Sequence, residues 1–188
     1  MKFTSRLFVL FTVLDIVSPS FGAERCEPWS GAGLGYSICL PTGWYHRTMS
    51  SGALFLCDQP QGKCVTDVGG DPLRGHATLS VIPAEFLDLP GPISTLRQFA
   101  NDAVSDKESS RFSSEGRVET SSGTLTYISV SQTYSNGALN STPIQARRIF
   151  VSIDKRFLEF AVFFNSDDKR ANWYMEIAMK MVSSIRRK

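Results

Sequence analysis

The stretch IQARRIFVSIDKRFLEFAVFF, residues 144–164, decides the fold. It holds two runs rich in β-branched and aromatic side chains, 144–153 and 156–164, separated only by Asp154 and Lys155. Two residues between such runs leave room for one connection, the tight turn of an antiparallel hairpin. In the second run Leu158, Phe160, Val162 and Phe164 line one face, while Phe157, Ala161 and Phe163 share the other with a single charge, Glu159. A strand that is apolar on nearly all of both faces offers water no side, so it is expected in the middle of a sheet.

Working outward, GTLTYISVSQTY (123–134) alternates Thr124, Thr126, Ile128 and Val130 with Leu125, Tyr127, Ser129 and Ser131, which is the period of a strand. YSICL (36–40), ALFLC (53–57) and ATLSVI (77–82) are short, β-rich and bounded by turn formers. Between 93 and 103, Ile93, Leu96, Phe99, Ala100 and Ala103 recur mostly at three or four positions, the apolar face of a helix. DKESSRFSSEGR (106–117) is polar and reads as a mobile surface segment. The chain ends in SDDKRANWYMEIAMKMVSSIRRK (166–188), where Tyr174, Ile177, Ala178, Met181, Val182 and Ile185 form one stripe that a sheet can bury. Ser166 or Asp167 is the expected cap, Trp173 lies at the margin of the stripe, and the terminal RRK suits the negative pole of the helix. The fold class expected is α+β: a central antiparallel β-sheet with flanking helices, the C-terminal helix packed on it.

The first 22 residues place Lys2 and Arg6 before an apolar run from Leu7 to Val17, then a Pro/Ser/Gly stretch, the pattern of a secretory signal peptide cleaved after Gly22. The run is far shorter than the roughly 20 residues of a spanning helix, so no transmembrane span is expected after cleavage. Residues 23–188 carry no internal repeat and read as one domain, secreted or periplasmic. Cleavage removes two of 20 basic and one of 18 acidic side chains, leaving a net charge of +1 that attracts no nucleic acid in bulk. The pair Arg147-Arg148 and the terminal RRK read as solvated ends of a strand and a helix.

All four cysteines, Cys26, Cys39, Cys57 and Cys64, fall early in the exported part, where thiols meet an oxidising compartment and two disulfides are the default. Pro60 and Gly62 between Cys57 and Cys64 are turn formers, which favours pairing those two and hence Cys26 with Cys39; a crossed pairing stays open. No close C-x₂₋₄-C spacing supports zinc, and Asp67 and Asp71 lack the oxygen run that calcium requires. No metal or cofactor is expected.

Catalytic patterns are equally thin. Only His46 and His76 could serve as histidine bases, and GYSIC (35–39) begins like a nucleophile elbow but carries Cys39 where the second glycine belongs, so Ser37 has no support. Asp167-Asp168 and Glu115/Glu119 read as solvated carboxylates at a helix start and in a polar strand or loop.

One further stretch, Leu40-Pro41-Thr42-Gly43-Trp44, makes a corner: proline ends a strand, glycine permits a positive φ, and tryptophan can fold its apolar face over the sheet. With the mid-chain helix, the meander of long strands, and a phenylalanine-rich strand followed by a helix ending SSIR, the corner resembles the PsbP-like superfamily, which includes DcrB-type bacterial envelope proteins and the Ran-binding Mog proteins. The resemblance implies a central antiparallel sheet covered by helices, and members that bind other proteins or serve assemblies without catalysis. It transfers no binding residue, and four cysteines are not a general feature of the family, so a cystatin-like α+β fold remains the alternative. The function expected is that of an exported, non-enzymatic envelope domain that binds a partner protein or serves its assembly, with Trp44, Tyr45 and Trp173 as candidate contacts. The alternative is a small-molecule-binding or enzymatic module with a pocket near His46 or His76.

Overall fold

The computed structural model describes residues 27–30, 35–49, 52–58, 77–104, 108–134 and 143–188. In chain order the elements are β1 (Glu27–Trp29), β2 (Tyr36–Leu40), β3 (Tyr45–Thr48), β4 (Leu54–Cys57), β5 (Thr78–Pro83), a 3-10 turn (Ala84–Phe86), α1 (Leu96–Ala103), β6 (Ser110–Thr120), β7 (Gly123–Tyr134), β8 (Ile144–Ile153), β9 (Arg156–Asn165), α2 (Ala171–Ser183) and β10 (Arg186–Arg187). Seven strands form an antiparallel sheet in the order β3-β4-β5-β9-β8-β7-β6, and β1, β2 and β10 form a smaller one in the order β1-β2-β10. The fold is α+β, with α2 packed on the large sheet.

The hairpin that opened the reading behaves as its sequence requires. Ile153 pairs with Arg156, and both turn residues take left-handed backbone, Asp154 at φ 48° and Lys155 at φ 70°. That geometry matches the right-handed twist of the flanking strands, which is why a two-residue loop suffices. β9 holds the middle place in the sheet. Its even-numbered residues Leu158, Phe160, Val162 and Phe164 join Tyr174, Ile177, Met181 and Val182 of α2 in one core, which also takes Tyr36, Ile38 and Leu40 of β2. Each such side chain, fully buried, stabilises the fold by about 1.5–3 kcal/mol.

The opposite face carries a smaller core under α1. Phe99 meets Phe150 edge-on at 5.1 Å and Phe157 at 5.7 Å. The helix begins at Leu96, later than its apolar period, because Thr95 caps it: the Thr95 side chain accepts from the Gln98 backbone N–H at 3.1 Å, while Gln98 Oε1 accepts from Ser94 N at 3.0 Å.

Four expectations are corrected by the structure. The polar segment 106–117 reads as a mobile surface segment; it does lie at the surface, but from Ser110 onward it is β6, an edge strand whose partner β7 satisfies the backbone while its side chains stay largely in water. Neither Ser166 nor Asp167 caps α2; they lie in a turn, Ser166 N bonding to Pro143 O at 2.9 Å, and the helix opens three residues after Asp168. Of the terminal RRK, Arg186 and Arg187 are solvated as expected but do not end the helix, because they form β10 against Ser37 and Tyr36. Arg148 is no solvated strand end either: it is 7% exposed, and its Nε donates to Glu159 Oε1 across the β8–β9 pair.

Among the described residues no helix is long and apolar enough to cross a membrane. The expected leader, residues 1–22, lies outside the described residues, as do His76, Asp67, Asp71, Cys26 and Cys64.

Candidate functional site

The corner after β2 forms as its residues dictate. Pro41 follows the last residue of the strand, Gly43 takes φ +83°, and Trp44 N closes the turn on Pro41 O at 3.4 Å. A side chain at position 43 would be strained in that backbone region. The turn swings Trp44 over the first coil of α2, where its ring lies 6.0 Å from that of Trp173 at 43°. Both indoles are half-buried and pack on the edge of the main core.

What fixes Trp173 is its neighbour. Tyr174 is fully buried, stacked on Phe164 at 5.9 Å, with its ring 5.2 Å from Trp173. A buried phenol needs polar company, and it finds two carboxylates: the hydroxyl is 3.2 Å from Asp58 Oδ2 and 3.3 Å from Asp168 Oδ2. Arg170 spans the same pair, with Nη1 3.2 Å from Asp58 Oδ2 and Nη2 3.0 Å from Asp168 Oδ2, and its guanidinium lies 5.1 Å from the centre of the Tyr174 ring. Asp168 Oδ1 also accepts the Arg170 backbone N–H at 2.8 Å, which satisfies a donor at the start of α2 without a conventional cap. The cluster thereby ties the end of β4 to the entry of α2, and Trp173 inherits its position from that tie.

Electrostatics follow the geometry. Burial and then the Asp58 charge push the Tyr174 phenol well above its ordinary range, so it stays a neutral donor. Burial opposes ionisation of Asp168, but the hydrogen bonds and charge of Arg170 outweigh it and hold the carboxyl below its usual value. The Asp168 hydrogen bond in turn raises Arg170 despite partial burial.

The structure joins two of the three expected contact residues and separates the third. Leu54 and Leu56 face the α2 core, so by strand alternation Tyr45, paired with Cys57, faces the other side of the sheet. It too is half-buried. His46 sits in β3 opposite Leu56, and its convergence with His76 cannot be drawn because position 76 is outside the described residues. Cys39 and Cys57 are both disulfide-bonded, while their expected partners lie outside the described residues, so the pairing remains an expectation. No group of three or more metal-ligating side chains occurs among the described residues.

The reading of the sequence missed Asp58, Arg170 and Phe55. Asp58 looked like a loop residue, and only the register of β4 against β3 and β5 turns it inward; its side chain is 3% exposed. Phe55, 38% exposed, could have been found from the alternation of LFLC, where the leucines take the core and leave the phenylalanine outward. The buried pair Arg148–Glu159 had a signal as well, since Glu159 is the one charge inside β9 beyond its first residue, Arg156. Gln132 Oε1 lies 3.4 Å from Arg148 Nη1, and the guanidinium sits 5.2 Å from the Phe150 ring, so this pair is enclosed by its own neighbours. The site that faces outward is the aromatic corner.

No protein-family model matches the chain, and no curated protein sequence does. Solved structures similar to it include the following two. One is a protein of Bacteroides thetaiotaomicron VPI-5482, at 10% identity and a TM-score of 0.48, over 82% of this chain and 45% of that one, so this chain spans less than half of that protein's length. The other is the Saccharomyces cerevisiae Ran-binding protein Mog1p, at 11% identity and a TM-score of 0.48, over 87% of this chain and 96% of that one. Both are weak likenesses of overall fold.

Proposed function

We propose that the chain is an exported, non-enzymatic domain that binds another envelope or secreted protein at the end of the large sheet, through Trp44 and Trp173 on one face and Tyr45 on the other. One observation carries the reading: two indoles from distant parts of the chain meet at 6.0 Å and stay half-exposed, while the buried Tyr174 beside one of them is held by two largely buried carboxylates that an exposed arginine bridges. Aromatic side chains held rigidly at a surface supply contact area at little entropic cost, which is the usual chemistry of a binding anchor. Export rests on the leader pattern of residues 1–22 and on the four cysteines, whose expected pairing is Cys26 with Cys39 and Cys57 with Cys64.

The test places a photoreactive phenylalanine derivative at Tyr45 in the full chain, expressed with its own leader. Illumination of intact cells is expected to give one discrete cross-linked product that disappears when Trp173→Ala is added. Cross-linking that is diffuse, or unchanged by Trp173→Ala, overturns the docking site. Free thiols on protein recovered outside the cytoplasm overturn the bridged state, and protein that stays in the cytoplasm with its leader uncleaved overturns export.

A further inference from the structure

The corner adjoins one end of the large sheet, and among the described residues that end is open. β3 is the terminal strand, and among the described residues it pairs with β4 alone. Trp29 Nε1 donates to Thr48 Oγ1 at 2.9 Å, which pins the end of β3 through a side chain and leaves its outer backbone groups without a ladder. A row of unpaired N–H and C=O groups is a template for another strand.

Aromatic surface flanks this edge on both faces. On the α2 side lie Trp44 and Trp173. On the other side lie Tyr45 and, one strand inward, the exposed Phe55, directly opposite Arg47. A strand laid beside β3 sends successive side chains to opposite faces, so alternate residues would meet one aromatic surface and then the other. Arg47 is the only full charge on β3; it is exposed and belongs to no ion pair among the described residues. A second copy of this chain pairing antiparallel through the same edge would set Arg47 against itself or against Tyr45, His46 or Thr48, none of which supplies a negative counter-charge. A different protein with a carboxylate at that register would supply one.

We infer that β3 is a docking edge that takes an extended segment of a partner protein as an added strand, with apolar side chains seated on Trp44/Trp173 and on Tyr45/Phe55 and a carboxylate facing Arg47. The inference rests on the reading of the chain as a protein-binding domain and specifies the partner's conformation and charge.

The probe is a phage-displayed library of random twelve-residue peptides, selected on the full chain. Selected peptides are expected to alternate apolar residues and to share an acidic position. Synthetic peptides N-methylated one backbone position at a time are expected to lose affinity at every second position, by about tenfold for each lost bond to the edge. Arg47→Glu is expected to abolish binding, and a peptide with lysine in place of its acid to restore it. Peptides that need Trp173 yet tolerate N-methylation throughout and ignore Arg47→Glu overturn the added strand while leaving the aromatic site standing. A concentration-dependent dimer in sedimentation that Arg47→Ser, which removes the like-charge clash, strengthens assigns the edge to a second copy and overturns the inference. Failure to select any peptide, together with no product from the Tyr45 cross-linker, removes both readings.

Discussion

Glu159→Gln is expected to destabilise the protein by about 3 kcal/mol, within the roughly 3–5 kcal/mol that follows loss of one partner from a buried ion pair. Arg148 and Glu159 lie on central strands, with side chains only 8% and 3% exposed. At an effective dielectric near 20, unit charges about 4 Å apart attract by about 4 kcal/mol, whereas withdrawing each from water costs several kcal/mol. The pair therefore contributes little as a unit, but either charge alone is left buried without compensation. Besides Glu159, the guanidinium meets Gln132, the Tyr134 phenol and the Phe150 ring, a neutral amide oxygen, a neutral hydroxyl and a π-face, none of which replaces the carboxylate. The decisive comparison is a double-mutant cycle by urea unfolding of the oxidised protein. Arg148→Met with Glu159→Leu is expected to recover stability to within about 1 kcal/mol of the parent or above it. If the double variant loses as much as the two single changes together, the reasoning fails, because the residues then act independently and the cost lies in packing.

Three smaller changes test other parts of the fold. Lys155→Gly should raise Tm by a few degrees, since Lys155 holds φ 70° against a steric cost of about 1–2 kcal/mol, offset in part by about 0.5–1 kcal/mol of glycine entropy; a lower Tm refutes the turn geometry. Tyr36→Phe should be neutral or stabilising by about 1 kcal/mol in urea unfolding, because the buried hydroxyl has no hydrogen-bond partner among the described residues; a clear loss would reveal one. Asp168→Asn should flatten the acid limb of the stability curve: the folded carboxyl titrates below its ordinary value near 4, so its contribution is complete above that pH and is lost as pH falls through the folded value. Superimposable stability curves for parent and variant between about pH 2 and 5 would contradict that assignment.

Where hydrophobic period and turn chemistry agreed, the fold was legible. The hairpin of β8 and β9, the central place of β9 and the buried stripe of α2 all follow from short-range pattern, because each depends on which residues can be hidden from water. The edge strands were harder. β6 has polar side chains on both faces and owes its existence to pairing with β7, a partner that local composition does not announce. β1 and β10 have three and two residues and exist only because β2 runs between them. At the candidate site, Trp44 and Trp173 were visible as large side chains at suspicious places, but their contact depends on the crossing of α2 over the corner. The Asp58–Arg170 tie joins residues far apart in sequence through the register of β4, which no local pattern carries.

The two ends of the large sheet differ in a way that bears on binding. β6 is long, yet it carries a bulge between Phe112 and Glu115 and exposes Arg111, Glu115, Arg117 and Glu119 along its length. Bulges and interspersed charges are the means by which sheets discourage added strands. β3 carries one charge in four residues and is bordered by aromatic rings on both faces. Its shortness limits adventitious pairing, because few backbone bonds are on offer and a random strand gains little from them. A partner that also seats side chains on the indole pair and satisfies Arg47 gains contacts that an unrelated strand cannot make. Protection at β6 and selectivity at β3 are then two answers to the same open-edge problem, and only the second leaves a surface that a chosen partner can use.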